Sequence, residues 1–459
     1  MLSNYFLLSF RVVFYTLLGI FALNANFFGL SDKGDEAFQY SFYRYIAPFI
    51  YESEAKDEIL VVLINDNAIK DLYERGIISA NEWPLLYKDH SKILNTIISQ
   101  QPASILVDIY FKQERSTDKT LQFFQSTFRR ANKYGVPINF GITTYEHNIT
   151  SIQKYFFDHA QLALIGWQGH GDAYPVTKSI EILDKPIQTA AVRLFADYCL
   201  RNEASRLCEV EAFDKDLSVI WDDSCHKNLY KDSCSNNENN IIYALKGIFG
   251  IEQPHQKSPA QHYIYADDLI YRLKNRDLEV QRLIKDKVVI YGLNLEGLHD
   301  HVDSPYHGKL PGSFFHAMAL DNIFTLQSDT IKKKDNVARW LGYLIWSIIV
   351  ILALVVQVYA NKPSDQIEGV RKKFSIIYHR NFRVTVYLIS LVPIFLGLIL
   401  SFFFFRYEPL DFLNYFAMSA LLAELMKQKL GHKVFNSFIS IKEWCYMKFT
   451  RQRNNGEVE

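Results

Sequence analysis

The sequence has no surplus of charge: 50 Lys and Arg stand against 50 Asp and Glu, and mean hydropathy is close to zero. It also lacks a Gly-rich phosphate-cradling loop, a strand-to-helix Ser elbow, a paired Cys-x-x-Cys and any internal repeat. These absences remove the sequence signatures of nucleotide phosphate binding, hydrolase-type acyl transfer and clustered-thiol metal sites. Cysteine is scarce, with five in the chain.

The local absences say more than the averages, which suit soluble domains. No charged residue occurs from Trp340 to Ala360, and none from Val384 to Phe405. At about 1.5 Å per residue each run makes a helix about 30 Å long, the thickness of a bilayer core. Val12 to Ser31 is also uncharged and rich in Phe and Leu. It reads as an uncleaved anchor; a cleaved signal peptide is the alternative, with Leu23 a poor fit at the cleavage site. Pro409 to Met426 forms a fourth candidate, with Asp411 and Glu424 near its ends, where carboxylates reach the interface. An interfacial helix is its competing reading.

Lys and Arg set the orientation. Lys362, Arg371, Lys372, Lys373, Arg380 and Arg383 lie between spans two and three, and Lys427, Lys429, Lys433, Lys442, Lys448, Arg451 and Arg453 follow span four. The expected organisation is an anchor at 1–31, an extracytoplasmic domain at 32–338, three spans within 339–426 around a basic loop at 361–383, and a basic cytoplasmic tail at 427–459. Both termini are then cytoplasmic and the large domain lies outside a bacterial inner membrane. Lys332, Lys333, Lys334 and Arg339 sit on the other side, but long domains translocate largely regardless of charge. Cys199, Cys208, Cys225 and Cys234 fall in that outer domain. Four thiols allow three connectivities, of which the local pairs Cys199–Cys208 and Cys225–Cys234 are the simplest. Zinc is the rival reading, though its ligand pairs stand closer together. Disulfides agree with export.

Within the domain, apolar runs at Glu58–Ile64, Ser104–Val107, Val136–Thr143, Leu162–Gly166 and Lys287–Tyr291 read as strands buried on both faces. Helical patterns at Asp89–Gln100, Lys119–Lys133 and Ser313–Phe324 alternate with them. The expected fold is α/β, with a mostly parallel sheet and flanking helices, joined to a four-helix transmembrane part. Residues 201–261, with the cysteines and the run Ser235 to Asn240, read as an insertion.

Four segments carry a resemblance: Val62-Leu63-Ile64-Asn65-Asp66 with Trp83-Pro84; Asp108-Ile109-Tyr110-Phe111 with Asp118; Lys287 to Gly292 leading to Asp300 and Ser304-Pro305; and Pro311-Gly312 with His316-Ala317. Together they span most of residues 36 to 335. In order and spacing they resemble the type-two CHASE domain, an extracytoplasmic sensory domain of bacterial receptors. The chain departs from that pattern where Tyr87 or Lys88 replaces the usual Arg after Trp-Pro, and where no Arg follows Gly171-Asp172. The resemblance implies a sensor that relays to a cytoplasmic kinase, cyclase or phosphatase. The segment after span four is too short for such an output, so the effector is expected to be separately encoded.

Ligands of parallel α/β sheets bind beyond the carboxyl ends of the strands, which nominates Asn65, Asp66, Asp108, Thr143, Asn294 and the following Asp300. The candidate ligand set is Asp66, Asp108, Asp300, His316 and Trp83, for a small molecule or peptide. Helix capping is the alternative role for Asp66 and Asp108. His299, His301 and Asp303 alternate along one face if extended, a donor set that suits zinc or a similar metal. No cofactor is implied. The basic runs flank spans, where topology and anionic lipid account for them, so nucleic acid is not an expected partner. A cytoplasmic effector protein, membrane lipid and a second copy of the chain are. Three readings compete: a sensor or scaffold subunit, an exported metal-dependent hydrolase, and a membrane-perturbing effector.

The topology is testable with reporter fusions. Alkaline phosphatase fused at Asn240 is expected to be active, and the same enzyme fused after Glu459 inactive; the reverse pattern overturns the orientation.

Overall fold

The computed structural model describes residues 2–25, 44–45, 47–143, 149–167, 173–182, 185–208, 216–222, 246, 259–297, 300–326, 336–360, 382–403 and 412–427. The chain divides into two compact units, one comprising Met1–Gln39 and Ile331–Glu459 and the other Tyr40–Thr330.

The first unit contains helix α1 (Leu2–Ala25). The second begins its sheet with β1 (Ile59–Ile64), every residue of which is buried. Asn65 then caps α2 (Asp66–Glu74), its side chain accepting the Ala68 N–H at 2.7 Å. Next come α3 (Tyr87–Ile98), β2 (Ser104–Val107), α4 (Phe124–Tyr134) and β3 (Ile138–Thr143). Gly135 ends α4 in the left-handed region, where a residue without Cβ is favoured. Thr150 and Gln153 form a reciprocal capping box on α5 (Ser151–His159), and β4 (Gln161–Gly166) follows. The chain then makes β5 (Ala173–Tyr174), the hairpin β6 (Ser179–Ile182) and β7 (Lys185–Gln188), α6 (Ala190–Arg201) and β8 (Leu217–Ser218). The last part holds β9 (His262–Tyr265), α7 (Ala266–Lys274), α8 (Leu278–Ile284), β10 (Val288–Leu293), the ribbon β11 (His301–Ser304) with β12 (Gly308–Pro311), and α9 (Ser313–Leu326).

The main sheet has six strands in the order β4-β3-β2-β10-β1-β9, all pairings parallel. The unit is therefore the mixed α/β fold with a mostly parallel sheet that the apolar runs predict. Residues alternate across the sheet, and the two faces differ in character. Leu60, Val62, Ile105, Val107, Phe140 and Val289 pack with Ile93, Leu94, Ile97, Phe124, Phe128, Phe156, Leu269 and Ile284 in one apolar core. On the other face α6 and α9 cover the sheet. There the buried residues include Ser104, Asp108, Asn139, Asp197, Ser313, His316, Asp321 and Asn322. Each finds a partner, as burial requires: the Asp197 carboxylate accepts Ser104 Oγ at 2.8 Å and Asn139 Nδ2 at 2.7 Å, and pairs with Arg193 at 2.6 Å.

Two sequence expectations meet the structure here, one changed and one fulfilled. The stretch 217–222, assigned to an insertion by its polar surroundings, is built into the domain. Leu217 to Asp222 is largely buried, and Ile220 exchanges hydrogen bonds with the Asn322 side chain at 2.7 and 3.0 Å. Cys199 and Cys208 form a disulfide, the first of the two local pairs expected. Cys225 and Cys234 lie outside the described residues.

The first unit continues with α10 (Asn336–Ala360), α11 (Phe382–Phe403) and α12 (Phe412–Lys427). Among the described residues one stretch, Trp340–Val358, is both long and apolar enough to cross a bilayer; Leu8–Phe21 and Leu388–Gly397 are shorter apolar stretches. Gly19 lies against Trp346: a Cβ there would stand 1.8 Å from the indole nitrogen, and that nitrogen donates to the Tyr15 carbonyl at 3.3 Å. Arg11 is buried and donates to Gln357, whose own amide donates to the Met426 carbonyl at 3.2 Å. Of the expected loop at 361–383 and tail at 427–459, residues 361–381 and 428–459 lie outside the described residues, while residues 382–383 and 427 are helical.

In the apolar core Phe140 is fully buried and stacks on Phe156 at 3.9 Å between ring centroids. Phe140→Ala is expected to cost about 3–5 kcal/mol, measured by pulse proteolysis of the full-length protein. A loss below about 1 kcal/mol would show that the neighbouring rings collapse into the space.

Candidate functional site at the β2–β10 strand ends

β2 leads toward β3 on one side, while β10 leads by way of the β11–β12 ribbon to α9, which lies against β10 and β1. Diverging connections of this kind open a crevice at the carboxyl ends of adjacent strands. Asp108, the residue after β2, stands there, its N–H donating to the Tyr291 carbonyl of β10 at 2.8 Å. Its carboxylate is buried and accepts the Ser313 hydroxyl at 2.6 Å, with His316 Nε2 at 3.6 Å from the other oxygen. The Tyr174 hydroxyl meets His316 Nδ1 at 2.9 Å and accepts the Ala191 N–H, also at 2.9 Å. Since the Ala191 N–H supplies a donor to that oxygen, the phenolic proton is free to go to Nδ1, which leaves Nε2 carrying the imidazole hydrogen.

Two glycines make this packing possible. A Cβ on Gly292 would lie 1.9 Å from Ser313 Oγ, and one on Gly312 would lie 2.4 Å from the Asp300 carboxylate. Trp167 sets its ring against Tyr174 and His316, with centroids 4.9 and 6.0 Å away.

Burial pushes the Asp108 carboxyl up to about 6, with the Ser313 hydroxyl opposing. Asp300 is exposed on one side, yet desolvation raises its pKa and the charge of Asp108 adds to the rise. Burial pushes His316 down to about 4, against the pull of Asp300. At neutral pH the site therefore holds a neutral imidazole beside an ionised Asp108. The Tyr174 hydroxyl is raised by burial and does not ionise in the physiological range.

Of the five residues nominated from the sequence, the structure brings together Asp108, Asp300 and His316. Asp66 is exposed at the end of β1, and its carboxylate accepts the Glu296 N–H at 3.0 Å. Trp83 is half-buried and sets its edge on His90, 5.8 Å between centroids. That histidine bonds the Tyr291 hydroxyl at 3.0 Å on the apolar side of the sheet. Asn294 is held through its backbone, donating to the Ile64 carbonyl at 2.8 Å. His301 and Asp303 are exposed on β11, opposite Pro311 and Lys309; His299 lies outside the described residues. Among the described residues no group of three or more His, Cys, Asp or Glu is arranged to hold a metal ion. Ser, His and Asp do meet at this site, but the hydroxyl donates to Asp108, whereas a hydrolytic triad needs it on the imidazole.

A family model for the CHASE2 domain matches residues 14–358. The chain belongs to the CHASE2 domain family. No curated protein and no solved structure matches it. CHASE2 domains are extracellular sensory domains, so this chain carries a sensor domain. The CHASE2 motif residues have distinct jobs here. Asp118 accepts the Tyr87 N–H at 2.7 Å and the Thr120 N–H at 2.9 Å, and pairs with Arg115 at 3.1 Å. The Arg115 guanidinium lies 4.4 Å over the Tyr87 ring, so a cation from the segment after β2 reaches the start of α3. Gly171 and Asp172 lie outside the described residues.

Ser313, Tyr174 and Trp167 were not singled out from the sequence. Ser313 follows Pro311-Gly312 at a helix start, a local signal for a functional hydroxyl. Tyr174 sits in a two-residue strand far from Asp108 in the chain, and nothing local marks it.

Ser313→Ala tests the electrostatics. Below about pH 6 the folded state keeps Asp108 protonated, and loss of the hydroxyl is expected to cost about 1 kcal/mol. Above it the carboxylate is ionised and loses a charge-assisted bond, so the cost rises to about 1.5–3 kcal/mol. Stability of the variant and parent chains measured at about pH 5 and about pH 8 checks the sign.

Proposed function

We propose that this protein is a membrane-tethered sensory subunit. Its CHASE2 domain lies outside the cytoplasm, binds a small polar ligand at the β2–β10 strand ends, and relays to a separately encoded cytoplasmic partner. The observation that carries this reading is the convergence of Asp108, Asp300 and His316 from three separate segments at one end of the sheet. Structural carboxylates that only cap loops, as Asp66 does, have no need of such company. The aromatic rings of Trp167 and Tyr174 beside the carboxylates suit a ligand with an apolar body and a polar or cationic end.

In this proposal α1, α10, α11 and α12 are four spans, with both termini and the basic loop inside. The support is the uncharged run in α10, the apolar stretches of α1 and α11, and the Lys and Arg distribution. The tail at 427–459 is the proposed docking element, for the effector or for anionic lipid of the inner leaflet. The chain itself is proposed to be no enzyme, since its Ser–Asp–His wiring does not activate the hydroxyl.

Thermal-shift screening of the full-length protein in detergent against polar metabolites tests the ligand site. A true ligand at about a hundred times its Kd is expected to stabilise the fold by about 2.7 kcal/mol. Asp300→Asn, at a partly exposed position, is expected to weaken that ligand at least about tenfold, or about 1.4 kcal/mol. Equal affinity in the parent and variant chains would move the site elsewhere.

A further inference from the structure

The segment that follows the anchor helix in the chain, residues 44–54, is fastened to the last elements of the CHASE2 domain. Arg44 donates to the Asp303 carbonyl at 2.9 Å, and the Tyr306 hydroxyl donates to the Tyr45 carbonyl at 2.9 Å. The remaining contacts converge on α9, the helix that precedes α10 in the chain. Asp321, fully buried on α9, accepts the Tyr51 hydroxyl at 2.9 Å and the Ser53 hydroxyl at 2.6 Å. One turn further on, Thr325 Oγ1 accepts the Glu54 N–H at 3.0 Å. One carboxylate thus ties the domain's incoming segment to its outgoing helix.

No salt bridge reaches Asp321 among the described residues, although a buried carboxylate is costly without a cation. Among the described residues, the groups that face it come from several elements. Tyr51, Ser53 and Lys56 come from the incoming segment, Asn322 and Thr325 from α9 itself, and Asp222 from the stretch after β8. α6 contributes Tyr198, which packs its ring on Phe324 and donates its hydroxyl to Glu58 at 3.0 Å. The hydroxyls are neutral donors, Asp222 repels and Lys56 attracts only through space. An amide at 321 could accept one of these hydroxyls on its oxygen and donate its N–H to the other without the cost of ionising; what an acid adds is a second charge state.

We propose that Asp321 is a proton-binding joint: protonated, it holds residues 44–54 against α9, and ionised, it lets them part. Burial, with Asp222 adding, pushes its carboxyl up to about 7, while Ser53, Tyr51 and Lys56 oppose the rise. Once parted and hydrated, the group returns to the ordinary carboxylate range. Between that range and about pH 7 each unit of pH moves the open-to-closed ratio about tenfold toward open, and above it the ratio levels off. The joint itself does not depend on the ligand reading above. Only its meaning, a proton signal delivered to the membrane helices, rests on the protein being a sensor.

Hydrogen exchange by mass spectrometry on the full-length protein in lipid nanodiscs, corrected for intrinsic exchange, tests it. From about pH 5 to about pH 7 the amides of Tyr51, Glu54 and the end of α9 are expected to exchange about tenfold faster per unit, then level off. Amides of β10 should not follow. Asp321→Asn is expected to abolish the dependence, Asp222→Asn to shift its midpoint down, and Tyr51→Phe to shift it up. A flat profile in the parent chain, or a dependence that survives in Asp321→Asn, overturns the proposal. If that variant fails to fold, an unmoved midpoint in both of the others overturns it equally. Asp300→Asn touches none of these groups, so an unaffected ligand profile alongside a responsive joint removes the proposed ligand site and leaves the joint standing.

Discussion

β10 lies between β1 and β2, and the main sheet depends on its arrival. Strands β1 to β4 occupy the first part of the domain, yet β1 and β2 share no hydrogen bonds with each other; both pair with β10, in register at Val61–Ile290 and Leu106–Ile290. The pairing joins residues more than 180 positions apart, so its loop-closure entropy must be met before the two apolar halves become one core. The same insertion brings the candidate site together. Asp108 at the end of β2 meets Ser313 and His316 because β10 and the ribbon after it deliver α9 to that place, and Gly292 of β10 leaves room for the hydroxyl.

The two faces of the sheet divide the work. One is a nearly continuous aromatic and aliphatic layer, in which Phe124, Phe128, Phe140 and Phe156 contact one another. Such packing resists change in any single ring and supplies stability. The face under α6 and α9 is laced with buried polar groups whose partners sit on different elements. Paired polar groups contribute little net stability but tolerate few alternative arrangements. A shift of α9 would break several of these links together.

How much of this was legible in the sequence follows from what each strand looks like alone. β1, β2 and β10 are rich in Ile, Leu and Val, and β3 and β4 are mostly apolar, because a strand covered on both faces carries few charged residues to alternate with. β9 was missed: His262-Tyr263-Ile264-Tyr265 is an edge strand with half-buried ends, and it looks like loop. α6 was missed as well; its Asp197 is buried and pairs with the half-buried Arg193. Strand-end logic brought forward Asp108 and Asp300, the motif added His316, and the structure places the three near one another. It could not separate them from Asp66, since the partner that occupies Asp66, the Glu296 N–H, is a backbone group without a sequence signature. Asp321 was invisible for the opposite reason: a carboxylate inside an apolar helix looks like a solvated position until Tyr51 and Ser53 arrive from 270 and 268 residues away.

The disulfide at the end of α6 closes a span of nine residues, a loop short enough to form as soon as both thiols have emerged, before any distant strand has docked. In the chain-entropy picture a closure of this size stabilises the fold by roughly 2–3 kcal/mol, a sizeable share of the margin by which a domain stays folded. Thiols stay reduced in the cytosol, so a chain held there lacks this increment and gains it on reaching an oxidising compartment. Its resistance to proteases thereby reports the address at which it was delivered.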